Sequence, residues 1–119
     1  MEEKASQLSE RFLNYAAEIV KLVMKLRKTA VGRELGGQLL RSGTSAGANY
    51  EEGCGAQSRA DFVHKLHIVF KELRESLFWL KVIRKSELFT DDGIEWLIRE
   101  TNELSNIIAK SLITAKRGK

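Results

Sequence analysis

The segment that most constrains the fold of this 119-residue chain spans residues 38–53 and reads QLLRSGTSAGANYEEG. It has the pattern of a helix, yet it contains no large side chain between Ser42 and Ala48. Glycine inside a helix costs up to about 1 kcal/mol relative to alanine, so Gly43 and Gly47 need a structural reason. Close approach of a neighbouring helix supplies that reason, because small residues let helix axes come nearer than the usual 8–10 Å or so.

The length and composition predict one helical domain. The chain contains no proline, which favours long uninterrupted helices, and 119 residues are typical of a single domain. No run of about eighteen apolar residues is present, so we expect no membrane span. The start, MEEKASQLSE, lacks the apolar core of a secretory signal. The single cysteine, Cys54, fits a reducing compartment, and we therefore expect a cytoplasmic protein.

Apolar residues recur at alternating spacings of three and four, which is the pattern of helices packed in a bundle. This spacing predicts four helices, over about residues 7–29, 33–55, 58–87 and 91–115. Because the joints between them are short, the predicted fold is all-α, an up-down-up-down four-helix bundle in one domain over residues 1–119. The core-facing seam predicted for the second helix consists of Leu35, Leu39, Ser42, Ala46, Asn49 and Gly53.

Two features of these helices predict contacts beyond a simple core. Asn49 lies on the seam, so we expect its amide to be buried and to set the register of the contact, with a ligand contact as the alternative. The third helix carries a second apolar stripe that includes Phe70, Leu77, Phe78 and Trp79. One intramolecular core rarely needs so wide an apolar surface, and we interpret the surplus as contact with other subunits.

The charge distribution permits binding to a polyanion. The formal net charge is +4, and the stretch from Lys21 to Arg41 holds six basic residues against one acidic residue. A basic surface of this kind is compatible with nucleic-acid binding. The candidate phosphate contacts are Lys21, Lys25, Arg27, Lys28 and Arg33. The alternative interpretation is that these cations only complement the dipoles of helix carboxyl ends.

The sequence contains no strong catalytic motif. The glycines of the small-residue run lack the Gly-Lys-Ser/Thr that completes a phosphate loop. His64 and His67 share a helix face, and a metal enzyme using them with Asp61 or Glu75 is one alternative. A carboxylate metal site in a four-helix bundle needs two Glu-x-x-His pairs, whereas here only Asp61-x-x-His64 comes close. We expect no catalytic residue, no metal and no cofactor, and we interpret Cys54 as a structural thiol.

Glu51 and Glu52 lie near the carboxyl end of the second helix, where the helix dipole disfavours negative charge. Adjacent helical residues point about 100° apart, so the two carboxylates do not share a proton. Carboxylates that leave water persist mainly when they are paired. We therefore expect Glu52 to pair with an arginine of the same or another subunit, and the candidates are Arg41, Arg59 and Arg74.

The segment 38–53 resembles the four-helix bundle proteins encoded within intervening sequences of bacterial 23S rRNA genes. The matching residues are Gln38, Leu39, Arg41, Ser42, Ser45, Asn49, Glu52 and Gly53. The resemblance continues through Ser58, Arg59, Asp61, Phe62, Lys65, Leu66, Lys71, Glu72, Glu75, Trp79 and Leu80. Many members carry proline before the second helix and within the small-residue run. This chain carries none there, from which we expect shifted helix starts in the same fold.

The resemblance implies a homopentameric ring or tapered barrel. It extends to the accessory proteins of diversity-generating retroelements, which are basic pentamers that bind nucleic acid and a reverse transcriptase. On this basis we expect a non-enzymatic oligomer that assembles through the second and third helices and binds RNA or DNA, and a protein-interaction scaffold is the alternative. The residues expected to serve structure and assembly are Gln38, Arg41, Ser42, Ser45, Asn49, Glu52, Gly53 and Arg59.

Overall fold

Four antiparallel helices form the protein, as seen in a computed structural model that describes residues 3–117. The helices are α1 (Glu3–Lys25), α2 (Ala30–Cys54), α3 (Arg59–Lys85) and α4 (Asp92–Arg117). Each packs against the next, and α1 contacts α4, so the bundle closes into one elongated unit of 49 × 22 × 20 Å. The predicted all-α, single-domain bundle is therefore confirmed. None of the described helices is long and apolar enough to cross a membrane.

The turn between α1 and α2 lies at residues 26–29, and the prediction of a joint at residues 30–32 was wrong. Thr29 has an extended backbone (φ −123°, ψ 160°), and its hydroxyl accepts a hydrogen bond from the Gly32 N–H at 2.9 Å. This bond caps the start of α2. A Cβ at Gly32 would lie 1.9 Å from the Leu26 carbonyl oxygen, so only glycine fits where the chain reverses.

The other helix ends lie within about one turn of their predicted positions. α3 begins after Ser58, whose hydroxyl accepts a hydrogen bond from the Asp61 N–H at 3.1 Å. At the start of α4, the carboxylate of Asp91 accepts a hydrogen bond from the Ile94 N–H at 3.0 Å. Both side chains satisfy amide groups that have no partner inside the helix. α4 continues to Arg117, two residues beyond its predicted end.

The predicted seam of α2 is confirmed at Ser42, Ala46 and Gly53, which are buried, but not at Asn49. Leu39, as predicted, is fully buried. Asn49, in contrast, is only partly buried, and its Nδ2 donates to the Ser45 carbonyl of its own helix at 2.9 Å. The prediction of a buried, register-setting amide was therefore wrong. Tyr50 is buried in its place, because its ring stacks on Phe12 of α1 with the centroids 5.1 Å apart.

The glycines of the small-residue run face α1 and bring the two helices together. A Cβ at Gly43 would lie 3.0 Å from Cγ1 of Ile19, and a Cβ at Gly47 would lie 3.2 Å from Cβ of Phe12. Both distances are tighter than ordinary packing allows. The close helix contact predicted from the sequence is confirmed, and it is formed within one chain.

A polar layer crosses the middle of the apolar core, with one fully buried residue from each helix. The Tyr15 hydroxyl lies 2.6 Å from Oγ1 of Thr101, and the Ser42 and Ser76 hydroxyls lie 2.8 Å apart. Oγ1 of Thr101 donates to the Leu97 carbonyl at 2.6 Å, so the Tyr15 hydroxyl is the donor to Thr101. Satisfied polar groups of this kind help to specify one alignment of the four helices.

We predict that leucine at Gly43 destabilises the fold, whereas leucine at Gly37 does not. A Cβ at Gly37 meets no atom within 4 Å, so this variant should gain up to about 1 kcal/mol from helix propensity. Gly43→Leu should lose about 1–3 kcal/mol by overpacking against Ile19. Urea unfolding of both variants measures these changes. Equal stabilities for the two variants would show that the α1–α2 contact is not tight.

The buried phenol of Tyr15 predicts a loss of stability at alkaline pH. Burial raises the pKa of Tyr15 from its ordinary value of 10.0 to about 12. The neutral phenol is thus favoured in the fold, and its contribution to stability is complete below pH 10 and lost as the pH rises through 12. The unfolding free energy of Tyr15→Phe should therefore fall less than that of the unmodified protein between those two values. Parallel pH dependences would contradict this assignment.

Candidate nucleic-acid interface

The outward face of α3 carries an unbroken row of exposed residues, at alternating spacings of three and four. This α3 row consists of His64, His67, Lys71, Arg74, Phe78, Lys81 and Lys85. The spacing places them on one side of the helix, over a length of about 32 Å at 1.5 Å per residue. The row contains no carboxylate, and none of its four cations forms an ion pair within residues 3–117.

The acidic residues in the middle of α3 bind Arg41 of α2, and the charge of Lys71 in the row also acts on the Glu75 carboxylate. Glu72 and Glu75 both bind Arg41 of α2, whose Nη1 lies 3.3 Å from Oε1 of Glu72 and whose Nη2 contacts the Glu75 carboxylate. Hydrogen bonds from Arg41 and then from Trp79 hold the pKa of Glu75 below its ordinary value. Arg41 therefore neutralises two carboxylates that would otherwise oppose an anion bound along α3.

Phe78 lies in the middle of the row, and 60% of its surface is exposed. The apolar pattern groups it with Phe70 and Leu77, but these two side chains pack against the core while Phe78 points outward. Its ring meets the Trp79 ring edge-on, with the centroids 5.2 Å apart and the planes at 70°. Nε1 of Trp79 donates to Oε2 of Glu75 at 3.1 Å.

Two of the five predicted phosphate contacts are already paired with acids. The ammonium group of Lys21 lies 3.2 Å from a Glu18 carboxylate oxygen on the same helix. That of Lys25 lies 3.6 Å from Asp91, and it also lies 5.5 Å from the centre of the Phe89 ring. Both side chains remain exposed, but an anion would have to compete with these carboxylates.

The other three predicted contacts, Arg27, Lys28 and Arg33, meet at the α1–α2 turn, and we call them the turn cluster. All three are exposed, and no ion pair involves them in the described part of the chain. Nη1 of Arg33 donates to the Arg27 carbonyl at 3.0 Å, which holds the two residues together. The sixth basic residue of the same stretch, Arg41, lies apart from them in the α2–α3 contact.

Within one chain, the prediction that Glu52 pairs with an arginine was wrong. Its carboxylate binds the ammonium group of Lys65 on α3, and it does not bind an arginine. Gly53 explains this choice, because a Cβ there would lie 3.2 Å from Cβ of Lys65. The bare backbone at Gly53 brings the start of α3 close enough for the ion pair. Arg41 is held by other acids, and Arg74 lies over the Phe70 ring.

Two of the remaining residues of the family motif, Arg59 and Ser42, lie at helix contacts. Nη1 of Arg59 donates to the Ala115 carbonyl at 3.1 Å, which satisfies an acceptor near the carboxyl end of α4. Ser42 belongs to the buried polar layer. Gln38 and Ser45 are partly buried on α2.

The residues of the alternative metal site are not brought together. His64 and His67 are exposed in the α3 row, and Asp61 is exposed at the start of α3. Glu75 is held by Arg41 and Trp79. Across the described residues, no group of three or more His, Cys, Asp or Glu side chains is placed to hold a metal ion.

These features define a class, the single-domain four-helix bundles in which small residues of α2 bring the neighbouring helices close. The family model described as 23S rRNA-intervening sequence protein matches residues 4–110, and the chain belongs to this family. A search of curated proteins finds no match.

A solved structure supports the same assignment. It is the crystal structure of a protein of unknown function from the S23 ribosomal protein family of Bacteroides thetaiotaomicron. It is 34% identical to this chain and aligns with a TM-score of 0.86 over 93% of this chain and 99% of that one. The resemblance drawn from the small-residue segment is confirmed.

We predict that the Arg41 ion pairs make a small, pH-dependent contribution to stability. The lowered pKa of Glu75 means that its stabilisation is present above pH 4.5 and is lost as the pH falls through the lowered value. Because Arg41 is about half exposed, Arg41→Gln should cost no more than about 1 kcal/mol at neutral pH. The cost should shrink in acid. Urea unfolding at neutral and acid pH measures it, and an equal cost at both would contradict the ion-pair role.

Proposed function

We propose that this protein is a non-enzymatic oligomer that binds RNA or DNA through the phosphate backbone. The observation that carries the proposal is the α3 row, an acid-free line of cations on a rigid helix. Side chains of Lys and Arg that contact phosphates release condensed counterions, which supplies sequence-independent affinity. Nothing in the row resembles a helix-turn-helix, zinc-finger or RNP motif, so the expected contacts are to the backbone.

The number of contacts favours assembly. One subunit offers four cations in the row and three in the turn cluster, which is few for tight binding at physiological salt. Linking several copies raises the effective concentration of each site, so that weak contacts combine into stable binding. We propose that the protein is a homo-oligomer of five subunits, the number that the family resemblance implies. Large apolar side chains exposed on α1 support subunit contact, since Leu13 is 64% and Met24 is 63% exposed.

Light scattering, with and without nucleic acid, tests the oligomer. A mass of several subunits is the expected result, and five subunits would match the family resemblance. A monomeric mass at all concentrations would reject the assembly and would leave the exposed apolar residues of α1 unexplained.

Two variants that lose the same charge test the proposed interface. The row variant carries Lys71→Gln, Lys81→Gln and Lys85→Gln, and the turn variant carries Arg27→Gln, Lys28→Gln and Arg33→Gln. Each lowers the net charge by three, so a nonspecific effect of charge should weaken both equally. We expect the row variant to lose more affinity for structured RNA and duplex DNA, and to lose about one unit of salt slope per phosphate contact.

The outcomes separate the two surfaces. A loss confined to the turn variant would move the interface to the α1–α2 turn, and equal losses would indicate that charge alone matters. If the unmodified protein binds no nucleic acid at low salt, or binds without a salt slope, the proposed function is rejected.

A protein-interaction scaffold is the second candidate, and a groove between α1 and α2 favours it. Leu13 and Ala16 of α1 line this groove together with Gly47 and Ala48 of α2. An apolar segment of a partner protein could lie there, as amphipathic helices do in other grooves. A pull-down that recovers one stoichiometric protein partner and no nucleic acid would favour the scaffold.

A further inference from the structure

We infer that the α3 row binds single-stranded nucleic acid, with the ring of Phe78 as a platform on which a base stacks. The inference rests on the proposed function and goes further, because it names the strandedness of the ligand and the residue that recognises it.

The position of Phe78 carries the inference. It follows Arg74 by four residues and precedes Lys81 by three, so cations flank its exposed ring on the same helix face. Proteins that bind single strands without sequence preference combine cations that follow the backbone with aromatic rings that stack on bases. In a duplex, each base face is covered by its neighbours, and Phe78 has no base face to contact.

The ring of Phe78 is held in place by a chain of contacts that begins on α2. Arg41 binds the carboxylate of Glu75, which accepts a hydrogen bond from Nε1 of Trp79, and the Trp79 ring supports the edge of Phe78. A side chain that is ordered before binding loses less conformational freedom when a ligand arrives. The contacts therefore suit Phe78 to stacking better than a freely rotating exposed phenylalanine.

An acidic protein segment is the competing ligand, and the stacking surface argues against it. Carboxylates would be attracted to the cations Lys71, Arg74, Lys81 and Lys85, but a carboxylate does not stack on the face of an aromatic ring. A nucleic-acid strand uses both, because its phosphates meet the cations while a base meets Phe78. The ligand class that satisfies every residue in the middle of the row is thus a single strand of RNA or DNA.

The experiment compares a ligand that offers open base faces with two ligands that do not. An oligo(dT) strand of about twelve nucleotides, which is within the site sizes of single-strand binding domains, is tested beside an abasic strand and a duplex of equal length. We expect Phe78→Leu to weaken oligo(dT) binding about five- to hundredfold. Binding of the abasic strand and the duplex should change less than about twofold. Phe78→Tyr keeps a stacking ring and should bind oligo(dT) like the unmodified protein.

Fluorescence supplies a second readout. The chain contains two tryptophans, so Trp96→Phe leaves Trp79, whose ring lies 5.2 Å from that of Phe78. Oligo(dT) should change the Trp79 emission, and the abasic strand should not. Circular dichroism of each variant checks that the helices remain folded.

The failure of this inference is distinguishable from the failure of the proposed function. If the unmodified protein binds no nucleic acid, both are rejected. If it binds with a salt slope but Phe78→Leu weakens all three ligands equally or none of them, the stacking role alone is rejected. Polyglutamate that competes as well as oligo(dT) would likewise overturn it, because the surface would then recognise charge only.

Discussion

The contact between α1 and the bare side of α2 is the constraint from which the other features follow. At Gly43 and Gly47 the backbone of α2 comes so near to Ile19 and Phe12 that a single methyl group would crowd them. Since large side chains of α1 fill the space that α2 leaves, the two helices lock in one relative rotation. That rotation turns Tyr50 inward to stack on Phe12.

The same rotation determines what α2 presents to α3. Arg41 lies on the α3 side and binds Glu72 and Glu75, and farther along Glu52 binds Lys65 where Gly53 lets the helices approach. The carboxylates in the middle of α3 are thereby drawn to its inner side, and its outer side is left cationic. A motif that looks purely structural on α2 thus shapes the electrostatics of the α3 row, the surface proposed to bind nucleic acid. The ion pairs of Arg41 and Glu52 thus connect the family motif on α2 to the proposed interface on α3.

Much of the fold could be predicted from spacing alone, but the candidate site could not. The helices follow from apolar periodicity, and the close contact follows from the run of small residues, because both are local properties of the chain. The α3 row is not recognisable from the order of residues along the chain. Its cations are spread over three helical turns or more, and Glu72 and Glu75 lie between them in sequence. The row becomes visible when α3 is drawn as a helical projection and its acidic residues are assigned to the side that faces α2. The sequence pattern grouped Phe78 with Phe70 and Leu77 in one apolar stripe, and only the structure separates the exposed Phe78 from the two neighbours that pack inward.

By itself, then, the amino-acid sequence determined the four helices, the small face of α2 and the family, because periodicity, side-chain size and motif are written along the chain. Tertiary structure decided the partners: Lys25 with Asp91, Glu52 with Lys65, and Tyr15 with Thr101. These pairs join residues on different helices or turns, and their distances depend on how each helix is rotated about its axis. The spacing of residues within one helix does not determine that rotation. Packing against the neighbouring helices determines it.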